Sequence, residues 1–372
     1  MTGTNMRRAR LALVLCTLAV MACRQDKNAT SVLPTGEIHP SVTFELKEVR
    51  TMGWPGLADS TRALNDQDRK LSGAVLGAPL SAVMDSAGNT YVLDGMFQKI
   101  VIFGPDGAFK STIAGGFGKG PREFSQPRAM AMSGDTLFVL DINNARVTMF
   151  GVDGRLFGSF TMPTPVPMGI ATDGQRVYVL TMRLGADYAA VHTYDLRGNR
   201  VDSLLTVTGQ AANLIAFGGA PVFGYRPGGA VLFAMPTPTV WGAVNDEVLH
   251  GRNFYPTAKG YLRKMPNGLK VRALPARVGG IAGLADGSTV VYYYERVGGE
   301  TQGEVTDKPF MDVYDRAGEY VGSAALDITS SYASISPTAD GTEIMLTSFN
   351  SDYPKVIVAK LLPLNRARQN DD

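Results

Sequence analysis

Cysteine is almost missing from this 372-residue chain: Cys16 and Cys23 are the only two. Both fall near the start, so residues 24–372 contain no thiol that could form a disulfide, and packing alone must stabilise them. Histidine is nearly as scarce, with only His39, His192 and His250. Three imidazoles spread this widely do not suggest a shared zinc site. Neither sign of charge dominates, with 36 Lys and Arg against 34 Asp and Glu, so there is no basic footprint for nucleic acid. The sequence also lacks a Gly-x-Ser-x-Gly elbow to present a serine. The glycines of 115–120 are not followed by the Gly-Lys-Ser/Thr of a phosphate loop.

No apolar run is long enough to be a mature transmembrane helix, which needs about 20 residues. What the chain does have is an export-type start. Met6-Arg7-Arg8-Ala9-Arg10 forms a basic head, and Leu11 to Ala22 forms an apolar run of twelve residues. Arg7-Arg8 lacks the rest of a twin-arginine motif and reads as a plain basic head. The run closes on Val20-Met21-Ala22-Cys23, which resembles the bacterial lipoprotein signal, a small residue ahead of a cysteine that is acylated. That resemblance implies a signal peptide over 1–22, lipid attachment at Cys23 and an exported protein anchored in the cell envelope. The alternative is an ordinary buried cysteine after Ala22. Arg24, rather than Asp, in the next position resembles sorting to the outer membrane. Cleavage would remove Arg7, Arg8 and Arg10 and no acid, leaving 33 basic against 34 acidic side chains. Residues 23–40, polar with two prolines and no periodicity, read as a tether.

The body from 41 to 365 is repetitive. Short apolar strands flank glycine hairpins at Ser86-Ala87-Gly88-Asn89, Ser133-Gly134-Asp135, Asp173-Gly174-Gln175, Pro227-Gly228-Gly229, Asp286-Gly287 and Asp340-Gly341. Spacings of 40 to 58 residues between them, in a chain of short strands, predict propeller blades. A second turn recurs at a fixed offset, as in Gly104-Pro105-Asp106-Gly107 and Gly151-Val152-Asp153-Gly154, and marks the joint between third and fourth strands. Five repeats have room for four strands. The sixth ends after Lys355 to Leu361 with a polar tail, 366–372. Near the other end, Val42 to Val49 alternates as a half-buried strand without a local partner. The expected fold is therefore all-β, a six-bladed β-propeller whose last blade is closed by the N-terminal strand.

Gly116-Phe117-Gly118-Lys119-Gly120-Pro121-Arg122-Glu123-Phe124-Ser125-Gln126-Pro127, followed by Leu137 to Val147, resembles an NHL repeat. Tyr91-Val92-Leu93-Asp94 to Lys99-Ile100 is a weaker copy. Together with the leader, the chain resembles the bacterial six-bladed propeller lipoproteins with NHL-like repeats, most of which have no assigned activity. Turn and interblade roles account for Arg122, Glu123, Asp141, Asn143 and Arg146, with ligand contact as the alternative for Arg122, Glu123, Asp141 and Arg146. Propellers such as gluconolactonase-type lactonases and virginiamycin B lyase-like proteins use a metal or an acid/base set in the central channel. Here the expected innermost strands start near Leu80, Arg128, Met168, Pro221, Ile281 and Tyr332, an apolar set with one arginine, which departs from that pattern.

The remaining binding candidates are Arg128 at the channel, the aromatic run Tyr292-Tyr293-Tyr294, and a basic excursion at 251–280 that includes Arg263 and Lys264. Alternation places Tyr292 and Tyr294 on one face, as interblade packing requires; stacking on a sugar is the second reading. The excursion is either a solvated loop or a recognition element. His192 and His250 read as surface residues. The sequence thus points to a monomeric, non-catalytic binding or scaffold protein with no cofactor, tethered to a membrane. Its partner would be a protein, peptide or envelope polymer, and not nucleic acid. A lactonase-like hydrolase or lyase is the alternative, and a structural envelope component without a discrete ligand is the third reading.

Overall fold

The hairpin glycines adopt the backbone that their position demands. Gly88, Gly134, Gly174, Gly229, Gly287 and Gly341 have φ of 82°, 52°, 86°, 101°, 94° and 69°, a region that costs a residue with a side chain about 1–2 kcal/mol. The computed structural model describes residues 42–56, 65, 71–162, 166–183, 188–208, 222–234, 240–243, 250–251, 262–264, 270–272, 276–298, 305–326, 332–349 and 352–364. The expected signal, Cys23, tether and tail lie outside these residues, as do His39 and Pro221.

Four antiparallel sheets follow one another along the chain. The first is β2 (Pro79–Met84), β3 (Thr90–Asp94), β4 (Lys99–Phe103) and β5 (Phe109–Gly115). The second is β6 (Pro127–Ser133), β7 (Thr136–Asp141), β8 (Arg146–Gly151) and β9 (Leu156–Thr161). The third is β10 (Val166–Thr172), β11 (Arg176–Arg183), β12 (Tyr188–Asp195) and β13 (Arg200–Thr208). The fourth is β14 (Val222–Arg226), β15 (Ala230–Ala234), β16 (Val240–Ala243) and the short β17 (His250–Gly251). Two further strands, β18 (Leu262–Lys264) and β19 (Lys270–Arg272), pair only with each other.

The rest of the chain joins the N-terminal strand in one eight-stranded sheet. β20 (Ala276–Gly283), β21 (Thr289–Gly298), β22 (Val305–Tyr314) and β23 (Tyr320–Ala325) form one half. β24 (Tyr332–Pro337), β25 (Ile344–Ser348) and β26 (Lys355–Leu364) form the other, and β1 (Val42–Met52) lies between the halves. β20 starts at Ala276, so the last five residues of the expected 251–280 excursion are strand. Glycine there lets strands approach closely: a Cβ on Gly280 would lie 2.3 Å from Ile335 Cγ2.

The arrangement is propeller-like. Apolar clusters fill the space between successive sheets. Tyr91, Leu93 and Ile100 meet Met130, Leu137 and Phe150, and Phe138, Leu140 and Val147 meet Ile170, Val177 and Tyr194. Round the ring, Ala234 and Trp241 meet Ile281 and Tyr293, and Tyr292 and Met311 meet Ile335 and Leu346. The cycle returns where Met345, Val356 and Val358 pack on Met84, Val92 and Phe103. The first strands touch in the same cyclic order, β2 to β6, β10, β14, β20, β24 and back to β2.

β1 runs antiparallel to β26, from Thr43 opposite Leu364 to Met52 opposite Val356, with a bulge at Val49. Its first residues also pair in parallel with β23, Val42 opposite Gly322 and Phe44 opposite Ala324. Thr43 and Phe44 are thus bonded on both sides. Gly322 makes this possible, because a Cβ there would lie 1.8 Å from the Val42 carbonyl oxygen, a backbone atom that cannot turn aside. Gly322→Val is therefore expected to lower stability by about 2–4 kcal/mol in chemical denaturation. Gly116→Ala, where no atom lies within 4 Å although φ is 102°, should cost only about 1–2 kcal/mol. Equal losses at the two sites would contradict this packing of β1.

Candidate functional site

The residues that carry the family resemblance hold loops in place. The Asp141 carboxylate, fully buried, accepts hydrogen bonds from the backbone N–H groups of Ser125 and Gln126 and from Asn144 Nδ2 at 2.6 Å. Arg146, 4.0 Å from that carboxylate, donates to the carbonyls of Lys119, Gly120 and Glu123. A buried anion and a cation thereby fix the 116–126 loop ahead of β6, because the bonds to charged groups are roughly twice as strong as neutral ones. Asp94 does the same for the preceding sheet, accepting from the amides of Gly77, Ala78, Met96 and Phe97. The turn-shaping amide is Asn144 rather than Asn143, because only its side chain reaches both Asp141 and the Gly118 carbonyl. Glu123 accepts from the Gly120 N–H, and the exposed Arg122 lies over the Phe150 ring, 5.8 Å from its centroid.

At the hairpin end of the ring lies a cavity of about 710 Å³. Met84, Met132 and Tyr225 line it from three inner strands, and Asp85, Asp135, Asp340 and Glu343 supply carboxylates from three sheets. Arg50 of β1 is its one cation, bonded to the Pro105 carbonyl. Two of these acids hold turns. Asp85 accepts from the Asn89 amide, the Asn89 side chain and the Tyr91 hydroxyl. Burial and then the Asp85 carboxylate push the Tyr91 phenol well above its usual range, so it stays a donor. Asp340 accepts from Thr338 Oγ1 and from the N–H and hydroxyl of Thr342, which hold its carboxyl below the ordinary value. Glu343 lies 3.5 Å from Lys360. Asp135, exposed on the rim, is the carboxylate best placed to meet a ligand.

Deeper in, hydroxyls tie inner strands to one another. Ser81 of β2 bonds the Met130 carbonyl of β6 at 3.3 Å, Ser336 of β24 bonds the Ala82 carbonyl at 2.8 Å, and Tyr225 of β14 bonds the Pro337 carbonyl at 3.1 Å. Tyr225 thus crosses from β14 to β24, two strands away in the ring. On the same side β14 lies against β20 without a side chain between them: a Cβ on Gly224 would be 1.8 Å from the Ile281 carbonyl oxygen. Among the described residues no three His, Cys, Asp or Glu side chains come together as a metal-binding group.

The other sequence candidates are scattered. Arg128 is an exposed second residue of β6. Arg263 and Lys264 lie on β18, opposite Val271 and Lys270, well apart in sequence from the cavity. Tyr292 is fully buried and edge-on to Tyr294, centroids 4.9 Å apart, while Tyr293 stacks on Phe310 towards the opposite sheet. The expected alternation is present, and packing takes up the face of Tyr292 that a sugar would need. His192 corrects the surface reading. It is buried on β12 with Nδ1 3.0 Å from Ser203 Oγ, because both faces of this sheet are covered by neighbours. Burial and the nearby Arg200 hold its pKa below the usual value. The cavity itself escaped sequence reasoning; the Asp beside the hairpin glycines Gly134 and Gly341 was its only trace.

No family model and no curated protein sequence matches the chain. Solved structures do share its fold. A member of the DUF4221 family from Bacteroides vulgatus is similar at 12% identity and a TM-score of 0.58, over 88% of this chain and 100% of that one. A candidate exported protein from Bacteroides fragilis is similar at 11% identity and a TM-score of 0.54, over 88% and 98%. At these identities the likeness is one of fold.

Asp141→Ala, which leaves buried N–H groups and Arg146 without their anion, should lower stability by about 2–4 kcal/mol in urea unfolding. Arg122→Ala should change it by less than about 0.5 kcal/mol; the reverse order would contradict the structural role of Asp141. His192 gives a pH dependence. Its folded pKa lies below the unfolded value near 6.5, so the unfolded chain binds the extra proton and stability falls as pH drops through 6.5. The melting temperature should fall over that interval, and His192→Asn should flatten the slope; an unchanged slope would exclude His192 as the source.

Proposed function

We propose that this chain is an exported six-bladed propeller, lipid-anchored at Cys23, that binds a protein, peptide or envelope polymer without catalysing a reaction on it. Six blades are supported by the cyclic contact of the six first strands. They are supported too by the position of β1. Gly107 backs onto Arg50 and Met52 of β1 just as Gly154 backs onto Ile113 of β5 and Gly198 onto Phe160 of β9, so β1 stands where a fourth strand stands elsewhere. The geometry of Asp141 and Arg146 is in keeping with the NHL-like reading of their motif. The Bacteroides fragilis neighbour, described as exported, agrees with the leader read from the sequence.

The observation that carries the non-catalytic reading is that carboxylates and hydroxyls converging on the channel are engaged in bonds within the fold. Asp85 and Asp340 hold hairpins, and Ser81, Ser336 and Tyr225 hold strands together. What is left at the 710 Å³ mouth is a mixed surface of methionine, aromatic and rim charge, suited to a side chain or short polymer segment. Arg128, Arg122, Arg263 and Lys264 are proposed as outlying contacts. A photo-crosslinker at Asp135 in intact cells should capture one reproducible partner, lost on Tyr225→Ala. Absence of any capture, together with a stoichiometric divalent cation in the purified protein and a chelator-sensitive lactonase or lyase activity, would overturn the binding reading.

A further inference from the structure

Among the described residues, three of the most exposed large apolar side chains on the face opposite the hairpins lie on two adjacent segments. Met96 and Phe97, in the turn between β3 and β4, are 65% and 45% exposed, and Phe117, in the loop ahead of β6, is 76% exposed. The two segments adjoin. Gln98 Nε2 donates to the Ser125 carbonyl, and Lys99, opposite Gly115 in the ladder, places its ammonium 5.1 Å from the Phe97 centroid. A folded chain normally turns such residues inward, and contiguous apolar surface outside the core marks a contact site.

The exposure of Phe117 is built in. Its loop is closed by backbone bonds from Gly118 to Phe124 and from Phe124 to Gly116, and Arg146 caps its carbonyls. Gly116 at φ 102° turns the chain outward. The cations around these rings, Lys99, Lys119 and Arg122, outnumber the two acids of the same loops, Asp94, which accepts from four amides, and Glu123, which accepts from the Gly120 N–H. Phenylalanine and methionine beside lysine and arginine is the composition of an interfacial membrane contact. In such a contact rings enter the headgroup boundary and cations meet anionic lipid.

We infer that Met96, Phe97 and Phe117 dip into the surface of an anionic bilayer, with Lys99, Lys119 and Arg122 on the headgroups, so that the hairpin cavity faces away from the membrane. This rests on the anchored reading of Cys23. The 18 residues between Cys23 and Val42 reach up to about 60 Å when extended, enough for either face to meet the bilayer. A tether alone leaves the orientation free. The patch selects one.

The test is Phe117→Trp in the full chain, purified from membranes and reconstituted into phosphatidylglycerol-containing vesicles with brominated acyl chains, read against the parent protein. The expected result is an added tryptophan emission that is blue-shifted and quenched by the bromines. Combined Lys99→Glu, Lys119→Glu and Arg122→Glu substitutions should abolish the quenching. Emission that stays unshifted and unquenched while the protein sediments with the vesicles overturns the inference, as does capture of Phe117 by an envelope protein in its place. Mass spectrometry of Cys23 in the same sample keeps the two readings apart. Quenching without an acyl chain sinks the anchor and leaves the patch, and an acyl chain without quenching does the reverse.

Discussion

Thr43 and Phe44 bond to β26 on one side and to β23 on the other, and the fold depends on this double pairing. It joins the beginning of the described chain to its end and welds two sheets into one of eight strands. A ring of separate sheets has a weak point wherever the chain starts and stops, because no peptide bond crosses it. Main-chain hydrogen bonds along β1 cross it here, and the core of Met345, Val356 and Val358 against Met84 and Phe103 packs beneath. The unpaired N–H and C=O groups that an open edge would present are thereby used.

Closure also explains why, among the described residues, several inner hydroxyls and carboxylates are bonded within the fold. Each sheet is covered by a neighbour on both faces, so an inner hydroxyl or carboxylate must find a partner within the fold or bear the cost of burial. Ser81 and Ser336 find main-chain carbonyls on neighbouring inner strands, Tyr225 finds one two strands away, and Asp85 and Asp340 find their own hairpins. What recognition can use is pushed outwards, to the rim at Asp135, and to the opposite face, where rigid loops hold Phe97 and Phe117 in water. The two faces therefore differ in character: one is concave and acid-rimmed, and the other exposes Met96, Phe97 and Phe117.

Much of the architecture was legible because glycine and alternation report backbone directly. The hairpin glycines take positive φ. Val42 to Val49 finds its partner at the far end of the chain. What failed to show did so for physical reasons. His192 belongs to a run, Val191 to Tyr194, that is buried on both faces, and such a run has no alternation from which to read burial. The 251–280 excursion overran the start of β20 because sequence does not distinguish a flexible glycine from Gly280, which lets Ile335 approach. The cavity is assembled from hairpins far apart along the chain, so no local pattern announces it.

Hydrogen exchange on the amides of β1 tests the central claim most directly. If residues 42–52 close the ring, their amides should be protected as strongly as those of Leu346 and Val358 in the same sheet, and exchange should proceed only with global unfolding. Rapid exchange of β1 alone, with β25 and β26 still protected, would show a strand that frays without consequence and would contradict the account.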